Sequence, residues 1–314
     1  MSRIERALEK ALKIRRSMTG TGSSSIGVTT FSKCDPSVFD AGEGAVDTSS
    51  IDPRLAAIAD PYSVAAEEYR KLRAKILQIT DKDFLNTIMI ASSQSGEGKT
   101  ITSINLAAAI AHEFDHTVLL IDADLRKPSI HTYLGLNPKL GLSDYLQSRA
   151  ELPEILIKTG IGKLVLLPAG NPPEKPAELM SSDRMRTLMR ELKFRYRDRY
   201  IIIDSSPLLL TADALSLCDY TDGILFVVQA ARTSMKAAAQ AVSLLKGYNV
   251  LGTVFNDVPK YLARNLYPYY YSSTYAGYAG ARQIDSAAPL AAVDAAKASI
   301  ESGDGNNGQG QRNA

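Results

Sequence analysis

"ASSQSGEGKT", residues Ala91 to Thr100, is the stretch on which the fold turns. The apolar run "TIMIA" (87–91) leads into it, and a helix-forming run from Thr100 to Glu113 leads out. Strand, glycine-bearing loop and helix, in that order, is the context a phosphate-binding loop requires. Gly96 and Gly98 allow the backbone to wrap close to phosphate oxygens, and amide hydrogens at the helix start supply positive potential. Lys99 can reach β- and γ-phosphates, and the Thr100 hydroxyl can ligate Mg2+. The strict spacing G-x-x-x-x-G-K-[ST] departs at its first position, where this chain has Ser93.

Further apolar runs flank this loop in sequence: "TVLLID" (117–122), "KLVLLP" (163–168), "YIIID" (200–204), "GILFVV" (223–228) and "LGTVF" (251–255). Runs that are apolar at every residue suit strands buried on both faces. They alternate with helical segments at Thr100–Glu113, Ser182–Phe194 and Ser234–Leu245. The pattern predicts a doubly wound α/β domain with a mainly parallel sheet and helices on both faces. In such sheets ligands bind beyond the carboxyl ends of the strands, so the chemistry is expected just after these runs.

Two more strand ends carry carboxylates. "LLIDADLRKP" (119–128) places Asp122 and Asp124 at a strand tip, with Arg126 two residues on, and "YIIIDSSP" (200–207) ends a strand in Asp204. Strand alternation is expected to point Asp122 and Asp124 the same way. Carboxylates facing a polyphosphate are costly unless a cation or a proton occupies the space between them. Helix capping is the bland alternative for any one strand-end Asp; three in this order after a phosphate loop argue against it.

The 314 residues are 45% apolar with a net charge of +2, enough for a sizeable core and no general argument for nucleic-acid binding. No apolar run approaches the ~20 residues that span a bilayer, and the N-terminus lacks a signal peptide's apolar core. Cys34 and Cys218 are isolated, which disfavours a disulfide scaffold or zinc site. The composition reads as cytosolic. Residues 1–17 form a basic amphipathic pattern, with Ile4, Ala7, Leu8, Ala11 and Leu12 at helical spacing. Such a helix docks on a partner or an anionic membrane, or packs on its own domain. Residues 18–50 read as a flexible linker, residues 51–260 as the folded domain, and residues 261–314 as a disordered tail. Ahead of the first strand, "SVAAEEYRKLRAKILQI" predicts a helix with an apolar stripe of Val64, Tyr69, Leu72, Ile76 and Ile79. The tail opens on "YPYYYSSTYAGYAG" (267–280), a cluster of tyrosines among small polar residues.

"SSQSGEGKT", "LLIDADLRKP" and "IIIDSSP" together resemble the Walker A, Walker A′ and Walker B motifs of bacterial tyrosine autokinases, the BY-kinases, P-loop proteins related to the MinD/ParA ATPases. The resemblance runs from about Ala56 to Asn256 and includes "GLSDYL" (141–146) and "LPAGNPPEKPAELM" (167–180), where Lys175 replaces the family's usual Asn. "EEYRKLR" resembles the family's E-x-x-R-x-x-R motif, at Glu67, Arg70 and Arg73. The opening "MSRIERALEKA" is similar to the stand-alone subtype encoded with exopolysaccharide export systems (exosortase-associated).

The resemblance implies ATP as substrate, held by Ser95, Gly96, Glu97, Gly98, Lys99, Thr100 and Ile101, with Asn256 at the adenine. It implies Mg2+ on Thr100, Asp124 and Asp204, and Asp122 as the base that takes the acceptor's proton. Its phosphoacceptors would be Tyr267, Tyr269, Tyr270, Tyr271, Tyr275 and Tyr278 on a neighbouring copy, in a ring joined through Glu67, Arg70 and Arg73. Implied partners are a separate membrane-bound polysaccharide co-polymerase as activator and a phosphotyrosine phosphatase. The protein would then be cytoplasmic and recruited to the inner face of the plasma membrane.

Two other readings use the same residues. A MinD/ParA-like switch ATPase normally carries a signature lysine where this chain has Gln94, and an amide cannot offset γ-phosphate charge. A nucleotide-gated binding module without kinase activity would need the same ATP-binding residues.

Overall fold

The computed structural model describes residues 46–47, 50–82, 85–195 and 199–259. The basic N-terminal segment, most of the linker and the tyrosine cluster lie outside them. The described chain begins with α1 (Ala56–Ala59) and α2 (Val64–Thr80), followed by β1 (Thr87–Ser92), α3 (Lys99–Ala111) and β2 (Thr117–Asp122). Then come α4 (Ile130–Tyr133), α5 (Leu142–Leu146), α6 (Leu152–Ile155), β3 (Ile157–Lys158), β4 (Leu164–Leu167), α7 (Pro176–Met180) and α8 (Asp183–Arg195). The domain closes with β5 (Arg199–Asp204), α9 (Asp213–Cys218), β6 (Gly223–Gln229), α10 (Met235–Leu244) and β7 (Val250–Asn256).

The seven strands form one sheet in the order β3-β4-β2-β5-β1-β6-β7, all neighbours parallel except the β3–β4 pair. The six expected apolar runs are the six parallel strands, and both-face burial explains why those in the middle of the sheet lack alternation. β1, β2 and β5 are buried along nearly their whole length. One face packs Ile88, Ile90, Leu120 and Ile202 against α3 through Ile104, Ala107, Ala108 and Ala111. On the other face Met89 meets Cys218 of α9, sulfur to sulfur at 3.9 Å. The two-residue strand β3 has no apolar run long enough to announce it.

Two expectations shift. β7 is the sheet edge, and Val250, Thr253 and Phe255 are exposed, so "LGTVF" is not buried on both faces. In α2, Val64 and Ile79 are exposed while Ala66, Ile76 and Thr80 are buried, so the inward face is rotated from the predicted stripe. α1 and α2 lie against α3, which is buried almost all round. Its Asn105 accepts from the Ala57 amide at 2.8 Å and donates to the Arg54 carbonyl at 3.2 Å.

Strand order is what assembles the site. β5 inserts between β1 and β2, setting Asp122 beside Asp204 in register, and the loop after β1 stands next to both.

Candidate active site

The loop between β1 and α3 turns through two left-handed residues, Gly96 (φ 84°) and Gly98 (φ 91°), a conformation open to glycine at little cost. Gly98 is required twice, since a Cβ there would stand 1.8 Å from Nδ2 of Asn256. α3 starts at Lys99, so its unpaired N–H groups face the loop and favour an anion.

Lys99 is buried, with Nζ 3.5 Å from Asp204 Oδ1 and 3.7 Å from Asp124 Oδ2. Burial alone would lower its pKa; Asp204, Asp124 and Asp122 outweigh that and raise it. Thr100 Oγ1 donates to Asp204 Oδ2 at 2.7 Å, and Ser103 Oγ, one helical turn on from Lys99, donates to Asp204 Oδ1 at 3.1 Å.

Asp122 accepts the Ser129 and Ile130 amides on Oδ2, both at 3.1 Å, and so caps α4. Its Oδ1 is buried with no hydrogen-bond partner. Burial first, then repulsion from Asp204, push its carboxyl up to about 8 against the pull of the two amides. β2 ends at Asp122, so strand alternation does not place Asp124. A turn does, in which Asp124 Oδ1 accepts the Lys127 amide at 3.2 Å. Burial raises the Asp124 carboxyl, and Lys99 opposes the shift.

Thr100, Asp124 and Asp204 offer only oxygens, which suits a hard divalent cation. Among the described residues no three His, Cys, Asp or Glu side chains form a metal cluster. A cation here would complete its shell with phosphate and water oxygens, the mode Mg2+ prefers. The buried, partnerless Oδ1 of Asp122 marks the same spot as short of positive charge or a proton.

A family model described as an AAA domain matches residues 85–250. The tyrosine-protein kinase YwqD of Bacillus subtilis is 34% identical over 224 residues, 71% of this chain and 93% of that protein. The chain belongs to the bacterial tyrosine-kinase family. The putative tyrosine-protein kinase CapB of Staphylococcus aureus is 30% identical over 67% of this chain and 91% of its own length. The kinase domain of the Escherichia coli tyrosine kinase ETK superposes with a TM-score of 0.63 at 31% identity, covering 67% of this chain and 82% of that one.

As a BY-kinase, the protein brings Lys99, Thr100, Asp122, Asp124 and Asp204 together as its sequence motifs imply. Ser95 and Gly96 are exposed at the loop crest, Glu97 is buried, and Ile101 packs toward the core. Asn256, at the end of β7, donates through Nδ2 to the Glu97 carbonyl at 3.1 Å and so braces the loop. Within one copy the E-x-x-R-x-x-R residues make different contacts. Arg70 Nε pairs with Glu67 at 2.7 Å on the same helix, whereas Arg73 turns inward to the Ala109 carbonyl (3.1 Å) and Glu113 (2.7 Å) at the end of α3. The six tail tyrosines lie outside the described residues.

Sequence reasoning missed Ser103, Ser129, Asp213 and Thr233. Ser103 stands four residues after Lys99, a spacing that puts both on one helix face. Asp213 pairs with Arg126 (Nε to Oδ2, 2.7 Å) from 87 residues away, and no local pattern announces it.

Proposed function

We propose that this kinase transfers the γ-phosphoryl group of ATP to tyrosines in the C-terminal cluster of a neighbouring copy of itself. The observation that carries the reading is Asp122, a buried carboxyl group with a partnerless oxygen in the cluster that holds Lys99. The P-loop amides from Ser95 to Ile101 and the Lys99 ammonium hold the phosphates. Thr100, Asp124 and Asp204 would hold Mg2+, which would supply neutralising positive charge beside the phosphates and the Asp122 carboxyl. Asn256 borders the adenine.

The acceptor phenol oxygen forms a bond to the γ-phosphorus as the bond from that phosphorus to the bridging oxygen of ADP breaks. The phenolic proton passes to Asp122 Oδ1. Phosphotyrosine and ADP leave, and the carboxyl returns its proton to solvent. A phenol of pKa about 10 needs less assistance than an aliphatic alcohol. Several tyrosines on one tail raise the chance that one reaches a neighbour's site. Glu67 and Arg70, half-exposed on α2, are the oligomer contact in this reading, with Arg73 supporting their helix from within.

The biological setting follows from the same reading. The kinase works on the cytoplasmic side, recruited to the membrane by a separate polysaccharide co-polymerase that activates it. Its phosphorylation state regulates exopolysaccharide polymerisation and export, and a phosphotyrosine phosphatase resets it. The test is incubation with Mg2+ and ATP followed by phosphosite mapping, with Lys99→Met and Asp122→Asn alongside. Phosphotyrosine concentrated at Tyr267–Tyr278 and lost in both variants is expected; phosphate release over an unmodified cluster would contradict the reading.

A further inference from the structure

Glu97 is a carboxylate inside a loop built to hold anions, and the transfer chemistry gives its side chain no task. The group is 4% exposed. Its Oε1 accepts from Ser93 Oγ at 2.7 Å and from Thr233 Oγ1 at 2.6 Å, while Oε2 accepts the Gln94 amide at 2.9 Å. Thr233 lies 136 residues away, in the β6–α10 connection, and its oxygen also accepts the Gln229 amide at 3.0 Å. Gln229 Nε2 in turn donates to Asp257 Oδ2, just past β7, at 2.9 Å.

Three donors occupy the charge of Glu97, and charge-assisted hydrogen bonds of this kind are the strong ones. Gly96 and Gly98, both left-handed, flank it, so local backbone preference leaves the loop free to take other shapes. The carboxylate supplies the missing constraint by gripping the loop at Ser93 and Gln94 and tying it to Thr233. Ser93 stands where the strict phosphate-loop spacing has glycine, and its hydroxyl is one of the three donors.

We propose that Glu97 is a positioning residue for nucleotide phosphates, a key that holds the P-loop amides in their binding arrangement by locking the loop to the β6–α10 connection through Thr233. The proposal rests on the reading that this loop binds ATP. Glutamine at position 97 keeps the shape but removes the charge, so the bonds to Ser93, Thr233 and the Gln94 N–H become weaker neutral ones, with the two hydroxyls turning to accept from its NH2. Valine at 233 keeps the shape of threonine without its hydroxyl.

The experiment measures binding of ATP with Mg2+ by calorimetry, and KM and kcat, on the full chain. Glu97→Gln is expected to weaken ATP binding roughly 10- to 100-fold, raising KM by a larger factor than it lowers kcat. Thr233→Val is expected to weaken binding roughly 5- to 20-fold, Thr233→Ser to recover most of that loss, and the double variant Glu97→Gln/Thr233→Val to bind no worse than Glu97→Gln. Should Glu97→Gln fail to fold, the valine and serine variants at 233 carry the test. Affinities within about twofold of wild type, equal losses in Thr233→Val and Thr233→Ser, or strictly additive losses would overturn the proposal. A wild type that binds no ATP would sink the functional reading and this proposal together; a wild type that binds, with variants that bind equally, would sink this one alone.

Discussion

At the tip of β2 the Asp122 carboxyl is buried beside Asp204, and its pKa rises from 3.8 to about 8. A folded-state value above the unfolded one means that the folded chain binds the extra proton. The stability this provides is complete below about pH 4 and is lost as pH rises toward 8. Asp122→Asn keeps the shape without the titration, so its stability relative to wild type should rise with pH. Between pH 6 and 8.5 the gain is expected to be about 2 kcal/mol, read from urea unfolding without nucleotide. A variant that tracks wild type across that range would show that Asp122 is ionised in the folded chain throughout. Lys99, Asp122, Asp124 and Asp204 were all legible in the sequence, because each sits at the junction of a buried strand with a loop or helix. Thr233 and Asp213 were not, since each meets its partner only through the folded sheet, 136 and 87 residues away.

α2 shows how an element can be right in extent and only partly right in face. The helix runs from Val64 to Thr80 as its sequence indicates, with Ser63 capping its start by accepting the Ala66 amide at 3.2 Å. The stripe of large apolar residues keeps Leu72 and Ile76 against the core but leaves Val64 and Ile79 outside, because Ala66 and Thr80 fill the tight contacts, and small or polar residues carry little weight in a hydrophobic pattern. That rotation separates the two arginines. Arg73 completes the carbonyl end of α3, where unpaired C=O groups need donors, and binds Glu113. Arg73→Ala is expected to lower unfolding stability by about 1–2 kcal/mol, and Arg70→Ala, which loses a pair on the same helix surface, by less than about 0.5 kcal/mol. Denaturant melts of dilute protein would check this, and equal losses would show that Arg73 does not support α3. If Arg70 is the oligomer contact, Arg70→Ala should nonetheless lower assembly mass more than stability.

At the scale of the whole molecule, a doubly wound parallel sheet was legible because six apolar runs are interleaved with helical segments. The strand order was not, since nothing in a strand's own residues states its neighbours. Yet the order is what makes the site: β5 between β1 and β2 brings the P-loop, Asp122 and Asp204 together at the carboxyl ends of the central strands. The edge position of β7 likewise emerged only from the fold, although Asn256 at its tip reaches back to Glu97. The central claim is that this site acts on a neighbour's tyrosines. Its most direct test mixes two full-length chains, one active with all six cluster tyrosines changed to phenylalanine, the other Lys99→Met with its tyrosines intact. With Mg2+ and ATP, phosphotyrosine should appear at Tyr267–Tyr278 of the Lys99→Met chain, and neither chain alone should acquire it there. A Lys99→Met chain that stays unmodified in the mixture, while wild type modifies its own cluster, would contradict transfer between copies.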